Sequence, residues 1–331
     1  MKNRREFLKT AATGAVLLTS QSKLGLAAAV EKHVSGAPPR VVVARDPALQ
    51  AQGAQLDDQR VLALLDRAMA AYTGRTKSVE AWQSIIPRDK VIGIKINGLG
   101  GHGISSHAVL VHAICQRLQQ AGVPAANIIV WDRNARDLRA CGMTISTDRN
   151  GVRCYGSDTA GYEDQETACG SARLRLSRIL TRECDMVISV PILKDHNMSG
   201  LTFTMKNMYG VVDRPYLLHG NNCNPGVADV NALPVVRQKV CFTIGDALTS
   251  VYEGGPVFQP QYLWRPGTLI VGQDRVAVDS TALQILDRKR VASGLPTLKA
   301  DGREPQYIAT AADAAHRLGT DDPRHIHLVE V

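Results

Sequence analysis

Three stretches restrict the architecture of this chain more than anything else in it: residues 90–96 (KVIGIKI), a helical pattern ending at Gly122, and residues 127–131 (NIIVW). The outer two are short, apolar and rich in Ile and Val, as buried strands are. Between them Val109, Leu110, Ala113, Ile114 and Leu118 recur at helical spacing, with Ser105 or Ser106 placed to cap the helix. Strand, helix, strand at this length is a βαβ unit, which favours a parallel sheet covered by helices. The same reading gives strands at 40–44, 185–190, 241–244 and 268–271, with an edge strand at 325–331. A helix from Asp57 carries Val61, Leu64, Leu65, Ala68, Met69 and Tyr72 on one face and stops at Gly74. Further helices are expected over 274–290 and 306–318, whereas 146–182 is polar and has no clear period. The expected fold is α/β, a mostly parallel open sheet with helices on both faces in Rossmann-like layers. Residues 30–331 are expected to form one domain.

In such sheets ligands bind outside the carboxyl ends of the strands. Those ends carry Asn97, Asp132-Arg133, Lys194-Asp195-His196 and Asp246. After Asn97 the loop 98–103 (GLGGHG) matches GxGxxG through Gly98, Gly100 and Gly103. It reads either as a turn or as a phosphate cradle of a dinucleotide site, with Asn97 and Asp132 beside it. Residues 194–210 are dense in reactive side chains. Lys194, His196, Lys206 and Asn207, together with Asp246, are the catalytic candidates. A histidine can carry a proton or ligate a metal, and lysines can hold an anion or a developing oxyanion. His219 and Cys223, four residues apart, can reach one ion, so His196, His219 and Cys223 form the candidate metal set. Each also has a plainer reading, as a hydrogen-bonded histidine, a solvated lysine or a turn residue. Met198, Met205 and Met208 are more simply core fillers than soft ligands.

Other classes are excluded by what is missing. No two of the seven cysteines have CxxC spacing, which argues against a zinc knuckle or a ferredoxin-type iron–sulfur cluster. Cys141 with Cys154, or Cys154 with Cys169, are the candidate disulfide pairs, and Cys115 and Cys241 read as buried hydrophobes. Neither GxSxG nor HExxH occurs. Of the formal charge of +8, half lies in residues 1–29, and no basic run marks a nucleic-acid groove. Nucleic acid is therefore not an expected partner.

The start of the chain, Arg4-Arg5-Glu6-Phe7-Leu8-Lys9, has the pattern of a twin-arginine export signal. A modest apolar stretch over 10–19 and the small residues Ala27, Ala28 and Ala29 complete a cleavable signal peptide over 1–29. The stretch is too short and polar to span a bilayer, and no cysteine precedes Cys115 to carry a lipid. The expectation is a periplasmic protein without a stable membrane anchor, handled in the folded state by the twin-arginine translocase.

Several segments in order, 191–196 (PILKDH), 200–212 (GLTFTMKNMYGVV), 219–225 (HGNNCNP), 245–256 (GDAL…YEGGP) and 271–279 (VGQDRVAVD), resemble the family known as domain of unknown function 362. Residues 90–97 (KVIGIKIN) fit its first strand. The resemblance implies no settled activity. It adds weight to Lys194, His196, Lys206, Asn207, Asp246, Asp274 and Asp279, which lie in its motifs. Some members are joined to iron–sulfur segments whose clustered cysteines this sequence lacks. The expectation is an enzyme with a bound metal ion or redox cofactor acting on a small anionic molecule. A non-catalytic binder of a metal or small anion, and a dinucleotide-dependent oxidoreductase loaded before export, are the alternatives.

Overall fold

The seven apolar runs, joined by the unexpected strands Arg153–Gly156, Ile192–His196 and Gly200–Thr202, form one sheet in the computed structural model, which describes residues 37–51 and 56–331. They are β1 (Arg40–Arg45), β2 (Ile92–Ile96), β3 (Ile128–Asp132), β4 (Arg153–Gly156), β5 (Met186–Val190), β6 (Ile192–His196), β7 (Gly200–Thr202), β8 (Val240–Val251), β9 (Thr268–Gly272) and β10 (His327–Glu330). The order across the sheet is β10-β1-β9-β8-β5-β2-β3-β4. From β8 to β4 every pairing is parallel, and only β9 runs antiparallel to both of its neighbours. β6 extends β5 along β8 and turns back through β7. Pro38–Val331 form one unit.

Alternation along the strands supplies two cores. Val41 and Val43 face one side, packed with Val276, Ala277 and Leu286 of helix α4 (Arg275–Ala292). Val42 and Ala44 face the other, with Val61, Leu64 and Leu65 of α1 (Asp58–Thr73) and Leu110 and Ile114 of α2 (Ala108–Gln120). Each buried Val, Leu or Ile among them contributes about 1.5–3 kcal/mol, so the layers are held from both faces. At the start of α1 the Asp57 carboxylate accepts the Arg60 N–H at 2.9 Å, and at its end Gly74 adopts a left-handed φ of 70°.

Departures from expectation have local causes. Neither serine caps α2, whose N-cap is His107. Ser106 instead donates to the Val190 carbonyl at 2.6 Å and accepts the Asn97 N–H at 2.9 Å, pinning the glycine loop to β5. The run 241–244 is only the start of a twelve-residue strand, and the helix expected over 306–318 is confined to Tyr307–Ala312. Inside the polar 146–182 stretch, Arg153–Gly156 pairs with β3. All seven cysteines are free thiols, so the two proposed disulfide pairs are not formed. The export pattern lies outside the described residues. Among the described residues no helix is long and apolar enough to cross a membrane.

Candidate functional site

The carboxyl ends of β2, β3 and β6 meet the short helix α3 (Thr204–Asn207) around a pocket of about 150 Å³. β2 delivers Lys95 and Asn97, β3 delivers Asp132, β6 delivers Lys194 and His196, and α3 delivers Lys206 and Asn207. Four residues are too few for a helix to hold itself. Asp279 of α4 anchors it, its two carboxylate oxygens accepting the N–H groups of Thr204 at 2.8 Å and Met205 at 3.2 Å. Burial pushes the Asp279 carboxyl up to about 8.

One wall is a closed network. The Lys95 ammonium donates to Asp132 at 2.7 Å, to the Ile96 carbonyl at 2.7 Å and to the Asn207 side chain at 3.1 Å. Asn207 in turn donates to the Lys95 carbonyl and to Ser189. Asp132 also accepts the N–H groups of Gly98 and Arg133. Every side chain here has a partner, which fixes the wall rather than leaving it free to react.

Lys194 and Lys206 differ from Lys95. Among the described residues neither forms an ion pair with a carboxylate. The Lys194 ammonium donates to the Ile104 carbonyl at 3.2 Å, and the Lys206 ammonium lies 4.0 Å from the centre of the Tyr209 ring. Burial lowers both to about 8, because an ammonium removed from water is disfavoured. Both remain mostly charged at neutral pH.

The two histidines are set in opposite tautomers by their hydrogen bonds. His196 Nδ1 faces the N–H groups of Met198 at 3.2 Å and Ser199 at 3.3 Å, so it accepts and the ring proton sits on Nε2. Burial, with Lys206 adding to it, lowers this imidazole to about 3, and His196 is a neutral donor. His219 Nδ1 faces the Pro215 carbonyl at 2.9 Å, so it carries the proton and Nε2 accepts from Lys206 at 3.4 Å. The rings are 6.3 Å apart.

Not every candidate reaches the pocket. Asp246 lies elsewhere, accepting the His107 N–H at 2.7 Å and facing His107 Nδ1 at 2.9 Å. His107 Nε2 is in turn 3.0 Å from the Thr249 hydroxyl. Cys223 is buried beside Lys206 and Tyr209 and does not line the pocket. Among the described residues no three His, Cys, Asp or Glu side chains are arranged to hold a metal ion. His196 suits one poorly, since a metal at Nε2 would leave a proton on Nδ1 facing two N–H donors. The glycine loop is not a free cradle, for its first N–H is bonded to Asp132 and α2 begins only at Ala108. Its glycines answer to packing: a Cβ on Gly100 would stand 2.1 Å from the Ile104 carbonyl oxygen, and one on Gly103 2.4 Å from the Phe258 ring. Lys95, Thr202 and Tyr209 line the pocket without having been singled out, as does Arg133, which was placed at its strand end but given no role. Lys95 alone left a trace, a lysine inside an otherwise apolar strand.

The model of the family described as Domain of unknown function (DUF362) matches residues 92–284, and the chain belongs to that family. The match runs from β2 into α4 and contains each lysine and histidine of the pocket. None of the curated proteins compared with the chain matches it. Among solved structures, a Thermotoga maritima protein is similar at 10% identity and a TM-score of 0.42, over 74% of this chain and 60% of its own. The lactate racemase apoprotein of Thermoanaerobacterium thermosaccharolyticum is similar at 9% identity and a TM-score of 0.37, over 70% of this chain and 56% of its own. The chain thus spans less than two thirds of the length of either.

Proposed function

We propose that this member of the DUF362 family is an exported enzyme that binds a small organic anion in the strand-end pocket and moves a proton on it. The observation that carries the reading is the pair Lys194 and Lys206, buried, facing one pocket and with no carboxylate in ion-pair contact among the described residues. Asp132 acts on Lys194 only from further off and is already bonded to Lys95. A buried charge without a counter-charge is costly, and an anionic ligand supplies the missing partner. Lys194 and the Nε2–H of His196 hold the negative charge. Lys206, ionising near 8 and held by His219, exchanges the proton. A non-catalytic anion carrier would use the same groups and turn nothing over.

The residues present give less support to the other two readings. A divalent ion between His196 and His219 would sit against the Lys206 ammonium and need the other His196 tautomer. A dinucleotide would need the Gly98 N–H and the Asp132 carboxylate, which are bonded to each other.

Calorimetric titration with propionate tests the anion site. Lys194→Met and Lys206→Met are each expected to weaken binding at least about tenfold, as loss of a charged hydrogen bond does, while Lys90→Met at the protein surface leaves it unchanged. Unaltered affinity in both pocket variants would remove the proposal. Exchange of substrate C–H protons with D₂O, followed by proton NMR, separates enzyme from carrier. Export is tested by the double substitution Arg4→Lys, Arg5→Lys, which should leave uncleaved precursor in the cytoplasm. Undiminished periplasmic protein would remove that part.

A further inference from the structure

The same pocket holds polar atoms for which the protein provides no partner. Among the described residues, the buried Oδ1 of Asn97, Oγ1 of Thr202 and Nε of Arg133 make no hydrogen bond, and all three residues line the pocket. Leaving a buried polar atom unpaired costs about 1–3 kcal/mol. The adjoining wall of Lys95, Asp132 and Asn207 is fully bonded. Buried atoms elsewhere among the described residues, such as Nε1 of Trp131 and Oγ of Ser105, are also unpaired, but those of Asn97, Thr202 and Arg133 belong to residues that line space a ligand can enter.

Their chemistry says what they fit. A primary amide offers an acceptor beside two donors, and a threonine hydroxyl offers both in one atom. A ligand hydroxyl satisfies either, since it donates and accepts. An ammonium does not, because the lining is cationic and both pocket carboxylates are engaged, Asp132 by Lys95 and Asp137 by Asn134 and Arg136. The pocket opens to solvent, and its accessible volume of about 150 Å³ matches a cavity that elsewhere admits benzene, about six heavy atoms, so a carboxylate on a short hydroxylated chain fits within it.

We infer that the ligand is a short hydroxy acid, its carboxylate held by Lys194 and the Nε2–H of His196 beside the Lys206 ammonium, and its hydroxyl groups by Asn97 and Thr202. The inference rests on the anion reading above and adds the hydroxyl to it. The full chain is titrated calorimetrically with three molecules on one three-carbon skeleton: glycerate, propionate and glycerol. Glycerate is expected to bind about 10- to 100-fold more tightly than propionate, and glycerol more weakly than either. Asn97→Ala and Thr202→Val are expected to narrow the gap by weakening glycerate while leaving propionate unchanged. Propionate binding as tightly as glycerate, or a gap that survives both substitutions, overturns the hydroxy acid and leaves the anion site standing. Neither acid binding better than glycerol overturns the anion reading, and this inference with it. The wild-type comparison decides alone should a variant fail to fold.

Discussion

Raising the pH should release an anion from this pocket far sooner than from an ordinary pair of lysines. Lys194 and Lys206 each ionise near 8 instead of 10.5, because burial strips water from the ammonium. Only the protonated form attracts the anion, so affinity falls as pH rises through 8. If both charges are required, the competent fraction is about 0.8 at pH 7 and about 0.01 at pH 9, a loss of about 100-fold. Two lysines ionising at 10.5 would keep about nine tenths of their affinity over the same range. The assay is titration with propionate at fixed ionic strength between pH 6.5 and 9.5. Lys206→Met should reduce the dependence to about tenfold while weakening binding throughout. An affinity that stays level up to pH 9.5 would refute the reasoning, since it would mean that neither ammonium is desolvated.

The same burial makes a statement about stability, with a definite sign. Between pH 8 and 10.5 the unfolded chain binds more protons than the folded one, so these lysines make stability rise with pH in that window. At neutral pH each opposes folding by about 3 kcal/mol. Lys206→Met forfeits the contact with Tyr209 and the hydrogen bond to His219, together worth about 1–2 kcal/mol. It should still stabilise the ligand-free protein by about 1–2 kcal/mol in urea denaturation at pH 7, and a destabilised variant would contradict the argument. Asp279→Ala strands two buried N–H groups of α3 and should cost about 2–5 kcal/mol. It should also abolish propionate binding although Asp279 does not line the pocket, and intact binding would show that α3 holds its place without it. Asp195 is fully buried, bonded to Arg303 at 2.8 Å and to the Gly255 N–H at 3.0 Å, with the buried Arg290 close by. Asp195→Ala should cost about 3–5 kcal/mol in the same assay, and a loss below about 1 kcal/mol would mean that Glu253 and Asp301, which also pair with Arg290 and Arg303, neutralise the two arginines. Thiol titration of the native protein should find no more than the half-buried Cys241, against all seven in denaturant. A shortfall in denaturant would reveal a disulfide.

How far the sequence could be read depended on the range of the forces involved. Seven of the strands and α1 were visible because apolar runs of Val and Ile, and apolar residues at a period of 3.6, record burial locally, residue by residue. The rule that places ligands at strand ends led to Asn97, Asp132, Lys194 and His196 for the same reason. The partners of these groups were not visible. That Lys206 leans on Tyr209 and His219 while Asp246 turns away to His107 depends on contacts between residues up to 139 apart. Periodicity carries no record of such contacts. Nor does it record which nitrogen of His196 bears the proton, which two backbone N–H groups decide. The GxGxxG spacing misled because glycine serves two ends, cradling a ligand or letting two backbones touch, and at Gly100 it is the second.

β1 is the first strand of the sheet to be synthesised, yet its neighbours are β9 and β10. Val41 pairs with Gly272 and Leu328, across 231 and 287 residues. Until β10 has emerged from the ribosome, the run Val41-Val42-Val43-Ala44 has a free edge and lacks the strand that closes it. Loops of that length close slowly, and an apolar strand kept waiting is the kind of segment that joins other chains instead. Chaperone protection of the growing chain should therefore matter most between synthesis of β1 and of β10. A circular permutant that joins β10 to the segment carrying β1, through a linker long enough to cross back along these parallel strands, would shorten that interval.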